Sequence, residues 1–204
     1  MLALPLNSAA ITPASRLLDT TDPRPRDVSS LRGHLVEVDD GPGRAVTTLG
    51  ASVVYEAQAS GRCAAWVTTR DDLPLAEDLV AWGIDLQALL FVRAPDARAA
   101  GRAAERLLRT GAWAAVVLEP GAFVFEPARI GRLSRLAETH HATVLVRREG
   151  RAGPGSALVG MRLQASRERP SHEPPRLAID VVRHRRGGAG SRWTTTCDGP
   201  PGLR

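Results

Sequence analysis

The chain contains no lysine, and all 27 of its basic residues are arginine. No side chain can therefore supply the ammonium group of a phosphate loop, a Schiff-base amine or a general-base lysine. Arginine instead suits recognition of phosphate and carboxylate groups, because its planar fork donates hydrogen bonds in pairs and keeps its charge. The net charge is +5, which makes nucleic acid or an acidic protein surface a reasonable partner.

Cysteines and long apolar runs are scarce as well. Cys63 and Cys197 are the only cysteines, so the sequence predicts no metal-binding cysteine motif, no metal site and no disulfide framework. Cys63 lies in an apolar run and is expected to be a buried thiol. No run approaches the roughly 20 apolar residues of a membrane helix, and the N-terminus lacks the basic start of a signal peptide. We therefore expect a cytoplasmic protein without a membrane partner.

The pattern of apolar residues divides the 204 residues into three parts. An irregular arm covers residues 1–31, with one helical turn expected near 15–18, and a Gly-, Pro- and Arg-rich tail covers 187–204. Between them, strand-like and helix-like segments alternate, which predicts a mostly parallel α/β sheet with helices on both faces. The predicted strands are 35–38, 63–67, 88–93, 114–118 and 142–146, and the predicted helices are 45–59, 73–82, 97–109 and 128–140.

The last segments of the central region have a different pattern. Residues 157–166 and 176–186 alternate between apolar and polar side chains and flank a Pro-rich turn, which predicts an antiparallel extension at the sheet edge. In the helix over 97–109, Asp96 is the expected N-cap. Arg98, Arg102 and Arg106 form a stripe opposite its apolar face and are interpreted as a solvated surface.

The stretch HLVEVDDGPGRAVTTLG, residues 34–50, has the layout of a nucleotide-binding loop. An apolar strand runs into a Gly/Pro turn, and two threonines and a helix-like segment follow. A working phosphate loop has the pattern G-x-x-x-x-G-K-[ST]. The lysine of that pattern is missing here in every register, so the loop is degenerate.

The order of segments resembles the core of the RecA recombinase, from about residue 33 to 185. The segments that show this resemblance are LVEVDDGPGRAVTTL, GRCAAWV, GIDLQALLFVRAPD and RTGAWAAVVLE. Of these, GIDLQALLFVRAPD is the most specific. The particular resemblance is to the ImuA family, RecA-like accessory proteins of bacterial mutagenic translesion synthesis. It implies a RecA-like domain over 32–186, with a mostly parallel twisted sheet.

Aligned with the RecA pattern, the loop departs from it in three places. Asp40 falls on the first glycine, Ala45 on the second, and Val46 on the lysine. Gly41 remains beside Asp40, and Thr47 and Thr48 are retained. Glycines let backbone amides approach phosphate, and the lysine stabilises the β- and γ-phosphates, so these changes predict a protein that is not an enzyme and holds no nucleotide cofactor.

Two other acidic positions of the pattern bear on catalysis. Glu119 matches the magnesium-linked aspartate and is interpreted as a remnant or a structural cap. The acid that would activate water after the second strand has no clear counterpart, and Asp71 and Asp72 are interpreted as surface acids of a loop. His140 and His141 end a helix, where their charge suits the dipole, and no metal role is expected for them.

The resemblance also indicates where DNA would bind. Two loops correspond to the RecA loops for single-stranded DNA, at 119–127 and 147–157. Phe123 and Phe125 in the first are interpreted as covering the core rather than stacking on bases. The second loop is either a loop that binds phosphates through its arginines or a solvated turn. The candidate DNA-binding residues are Arg147, Arg148, Arg151, Arg183, Arg185 and Arg186.

The resemblance implies a non-enzymatic adaptor in the SOS response to DNA damage. Its partners would be ImuB, RecA or both, and it would act on RecA filaments during translesion synthesis. Three alternatives remain: a single-stranded DNA-binding module, an ATPase that uses Arg44 in place of the lysine, and a cell-division inhibitor like SulA. RecA-style filaments are not expected, since the arm shows no clear polymerisation segment, but a small homo-oligomer stays open.

Overall fold

The computed structural model describes residues 27–149, 158–171, 175–185 and 189–196. The helices in these residues are α1 (Val46–Ala59), α2 (Ala76–Ala81), α3 (Ala97–Arg109) and α4 (Pro127–His140), with 3₁₀ turns at Val28–Leu31 and Leu86–Ala88. The strands are β1 (Leu35–Asp40), β2 (Cys63–Thr68), β3 (Leu89–Arg93), β4 (Trp113–Glu119), β5 (Thr143–Arg148), β6 (Met161–Glu168), β7 (Arg176–His184) and β8 (Arg192–Thr196).

All eight strands form one sheet in the order β3-β2-β4-β5-β1-β6-β7-β8. The pairings from β3 to β6 are parallel, whereas β7 runs antiparallel to both β6 and β8. The mostly parallel sheet with an antiparallel edge extension is therefore confirmed.

Two apolar clusters cover the two faces of the sheet. Helices α1 and α2 pack on one face and α3 and α4 on the other. Strand β4 contributes alternate residues to each: Ala115 and Val117 point into the first cluster, and Val116 and Leu118 into the second. Burial on both faces explains why parallel strands are continuous apolar runs.

The N-cap and the buried face of helix α3 are those that its sequence predicts. Its N-cap is Asp96, whose side chain accepts a hydrogen bond from the Ala99 amide at 2.7 Å. Ala100, Ala104 and Leu108 are fully buried. The arginine stripe of α3 is exposed, as expected.

Several expectations need correction. Cys63 is exposed rather than buried, because it is the first residue of β2 and lies just after the Gly61 turn, before the strand enters the core. Residues 192–196, assigned to the tail, form β8. The end of the arm also joins the fold, since Leu31 is fully buried. The helical turn expected at 15–18 lies outside the described residues.

None of the helices within the described ranges has the length and apolar character that a membrane crossing requires.

Candidate functional site

The carboxyl ends of β1, β4 and β5 meet beside the start of α1. Strand β1 ends in Asp39 and Asp40, β4 in Glu119, and β5 in Arg147 and Arg148. Because β5 lies between β4 and β1, its arginines are flanked by carboxylates from both neighbours. In open α/β sheets, ligands bind at this edge, where chain connections leave in opposite directions.

Arg147 links the ends of the two neighbouring strands. Its Nη2 donates to Asp40 Oδ2 at 3.0 Å and its Nη1 to Glu119 Oε1 at 3.1 Å. The three side chains are 14%, 24% and 4% exposed, so these ion pairs are largely shielded from water. We call Arg147, Asp40 and Glu119 the strand-end triad.

Asp40 also occupies the start of α1. Its Oδ1 accepts a hydrogen bond from the amide of Val46, the first residue of the helix, at 3.2 Å. The first amides of a helix lack partners within the helix and attract anions. Asp40 therefore supplies from the chain itself the negative group that a bound phosphate would supply in a working loop.

The glycines between β1 and α1 are explained by close packing on β6. The Gly41 amide donates to the Ala165 carbonyl at 2.7 Å, and the Arg167 amide donates to the Pro42 carbonyl at 2.9 Å. A Cβ atom at Gly41 would lie 3.0 Å from that Ala165 oxygen, and one at Gly43 would lie 2.9 Å from Arg167 Cβ. These contacts require glycine without any phosphate.

The two retained threonines contact arginines. Thr48 Oγ1 accepts a hydrogen bond from Arg167 Nη2 at 2.9 Å, and Thr47 Oγ1 lies 3.5 Å from Arg147 Nη1. In a working loop, a threonine hydroxyl at this position binds Mg²⁺. Ala45, on the second glycine position, is fully buried, and Arg44 is exposed with a φ of 48°.

Glu119 is a buried carboxylate with a partner on each oxygen. Its Oε1 pairs with Arg147, and its Oε2 accepts a hydrogen bond from Trp66 Nε1 at 3.0 Å. Trp66 is fully buried and packs on Gly50 of α1, where an added Cβ would lie 2.7 Å from the indole ring. No group of three or more potential metal ligands occurs among the described residues.

A second ion-pair group lies beside the triad. Arg148 Nη1 and Arg162 Nε both donate to Asp39 Oδ2, at 3.2 Å and 2.7 Å, and Arg148 Nε lies 3.9 Å from Glu37 Oε2. The placement of Arg147 and Arg148 on a flexible loop is therefore wrong, since both are strand residues. Arg148 is 8% exposed, which leaves little of it for a DNA phosphate.

The structure does not gather the remaining candidate arginines at this site. Arg183 and Arg185 are exposed at the end of β7. Strand β7 is antiparallel to β6, and His184 pairs with Met161, the first residue of β6. The end of β7 therefore lies beside the amino ends of the parallel strands, whereas Arg147 lies at their carboxyl ends. Arg151 and Arg186 lie outside the described residues.

The loop after β2 carries surface charges, as expected. The side chains of Asp71 and Asp72 are 97% and 69% exposed. Arg70 pairs with Asp72 and Glu149. The hydrogen bonds that Arg70 donates, first to Asp72 and then to Glu149, raise the pKa of Arg70 above its usual value. The hydrogen bond that Asp72 accepts from Arg70 lowers the pKa of Asp72.

The two phenylalanines of the loop after β4 divide their roles. Phe125 is 5% exposed and packs on Gly101 of α3, which agrees with the interpretation that it covers the core. Phe123 is 38% exposed and contacts Phe125 edge to face, with ring centres 5.5 Å apart.

Several partners in the two charge groups were not found from the sequence. They are Glu37, Asp39, Trp66, Arg162 and Arg167. A usable signal exists for Asp39: an acidic or basic residue that ends an apolar parallel strand lies at the same strand ends as the others. Arg167 and Trp66 lack such a signal, because their roles depend on the packing of β6 and of α1.

Comparison with known proteins adds no assignment. The chain matches no protein-family model, and no curated protein matches it.

Proposed function

We propose that this chain is a non-enzymatic RecA-like adaptor that acts in DNA-damage-induced mutagenesis and binds ImuB, RecA or both. The resemblance to the ImuA family, carried by GIDLQALLFVRAPD and the segments around it, is the basis for the process and the partners. The observation that supports a role without nucleotide chemistry is the strand-end triad, in which Arg147 joins Asp40 to Glu119.

The triad opposes nucleotide binding electrostatically. A phosphate at the start of α1 would have to displace Asp40 from the Val46 amide and then remain near a carboxylate. Two like unit charges 4 Å apart repel by about 4 kcal/mol at the effective dielectric of a protein surface. Arg147 is one cation against the two carboxylates of the triad, and the chain has no lysine to offset the remaining negative charge. Arg44 is exposed and lies two residues before Val46, the position that matches the lysine of a working loop. This argues against the ATPase alternative.

The partners are tested with purified proteins. We expect immobilised full-length protein to bind ImuB, RecA or RecA filaments in interferometry, both with and without ATP. Failure to bind all three would contradict the proposal. The SulA-like alternative would be favoured if the protein bound a cell-division protein and none of these three.

Single-stranded DNA binding remains the second candidate. The exposure of Arg183 and Arg185 at one edge of the sheet favours it, whereas Arg147 and Arg148 are engaged with carboxylates. Phosphate contacts make affinity fall steeply with salt. If these arginines bind DNA, each change to alanine should lower the salt slope by about one, while Arg102→Ala, on the exposed stripe of α3, should leave it unchanged.

A further inference from the structure

An open groove runs over the outer surface of α1 and is distinct from the strand-end triad. Its volume is about 850 Å³, and it is lined by Tyr55 of α1, Trp82 after α2, Trp193 of β8, and by Asp27 and Glu56. We call this the α1 groove. Its size is that of sites that hold several groups of a ligand at once.

The walls of the groove are aromatic and partly exposed. Tyr55 is 49% exposed, which is a large exposure for an aromatic side chain on a core helix. Trp193 is 8% exposed and borders the groove from β8. An apolar occupant would remove the exposed aromatic surface from water, which is favourable.

The chain itself supplies a suitable occupant at the end of the groove. The described residues begin at Asp27, which lines the groove, and 26 residues precede it. Six of the first 18 residues are leucine or isoleucine, and Leu17 and Leu18 are the nearest of them to Asp27. Nine residues of extended chain span roughly 30 Å, which is ample to bring Leu18 over the aromatic walls.

We propose that the α1 groove binds the N-terminal segment, residues 1–26, of the same chain. Covalent attachment raises the effective concentration of the segment to roughly the millimolar range, which favours it over a free peptide of similar composition. Leucine side chains would cover Tyr55 and Trp82.

Photo-crosslinking in the full-length protein tests the proposal. Benzoylphenylalanine in place of Leu17 is activated in a mixture of isotope-labelled and unlabelled chains, and the products are mapped by mass spectrometry. We expect crosslinks within one chain, to peptides that contain Tyr55, Trp82 or Trp193. The same probe in place of Arg102, on the opposite face of the sheet, should give no product in the groove.

Two variants with exposed substitution sites show whether the groove itself is responsible. Tyr55→Glu should lower the Leu17 crosslink yield roughly tenfold, since it removes apolar contact area comparable to a buried aromatic side chain. Thr195→Arg should lower it by obstructing the β8 side. Val182→Glu, at a 45% exposed site on β7, is the matched control and should leave the yield unchanged. Circular dichroism verifies that each variant is folded.

Three results would overturn the proposal. They are crosslinks between labelled and unlabelled chains, which identify a second copy as the occupant; crosslinks that map outside the groove; and a yield that folded Tyr55→Glu and Thr195→Arg proteins leave unchanged.

Discussion

Two ion-pair clusters of opposite charge balance occupy different environments in this molecule. In the strand-end triad, one arginine joins two carboxylates inside the end of the sheet. Between α3 and α4, one carboxylate, Glu105, faces Arg109, Arg129 and Arg132, whose side chains are 65%, 21% and 40% exposed. The first cluster is held by three strands and the second by two helices at the surface, so the number of charges in a cluster does not set its contribution to stability.

The difference follows from what each site would lose if one partner were removed. A buried carboxylate without a partner is costly, whereas water screens an exposed ion pair. Glu105 is itself only 13% exposed, but it faces three arginines, so the loss of one leaves it paired. The strand-end triad should therefore be more sensitive than the helix cluster to the loss of an arginine.

The largest effect is expected for Arg147→Ala. It leaves Asp40 and Glu119 without their cation and should destabilise the protein by about 3–5 kcal/mol. Urea unfolding measures the change, with Arg102→Ala of the exposed stripe on α3 as the matched control, expected within about 0.5 kcal/mol of the wild type. Equal losses for both variants would mean that the ion pairs of the triad add nothing beyond an exposed surface arginine.

A smaller loss is expected for Asp40→Ala, of about 1–2 kcal/mol, because the Val46 amide loses its acceptor. A double-mutant cycle with Arg147→Ala should give a coupling energy of about 0.5–3 kcal/mol. Strictly additive losses would mean that the two side chains do not act together. The variant should still bind no ATP, since removing the carboxylate does not supply a lysine.

Glu105→Gln should cost less again, about 1 kcal/mol at neutral pH. Burial opposes ionisation of Glu105, but the hydrogen bond from Arg109 and the charges of Arg132, Arg109 and Arg129 outweigh it, so its pKa is lowered. A lowered pKa stabilises the fold above the pKa of the unfolded chain, and this contribution is lost as the pH falls through the folded value. The difference between wild type and variant should therefore vanish in acid; a difference that grows below pH ~4 would contradict this sign.

The smallest effect is expected for Arg109→Ala, at most about 0.5 kcal/mol, because this arginine is largely exposed and pairs with Glu105 along one helix. Thermal unfolding in low and high salt measures it. A loss as large as that of Glu105→Gln would mean that Arg109 alone holds the carboxylate.

Much of the architecture was predictable because its signals are local. Asp96 caps α3 through its own side chain, and the apolar run of β4 reflects burial on both faces of a parallel sheet. Strand β8 was missed because its five residues lie in a Gly- and Arg-rich region and are held by pairing with β7. The exposure of Cys63 was missed because composition does not show where a strand enters the core.

The candidate site was only half predictable. The sequence alone shows that Asp40, Ala45 and Val46 stand where the phosphate-loop pattern has two glycines and the lysine. The sequence does not show the partner of Asp40, because Arg147 lies more than one hundred residues away and is brought there by the pairing of β5 with β1. The sequence therefore predicts that phosphate binding is lost, and the fold shows which groups lie at the start of α1.

The chain's own charges lie at the start of α1, where a working phosphate loop would hold a nucleotide. Isothermal titration with ATP and Mg²⁺ at millimolar concentration tests most directly whether they exclude it. We expect no saturable binding to the wild type or to Thr48→Ala. Saturable binding to the wild type that Thr48→Ala abolishes, or ATP turnover that Glu119→Gln abolishes, would contradict the account.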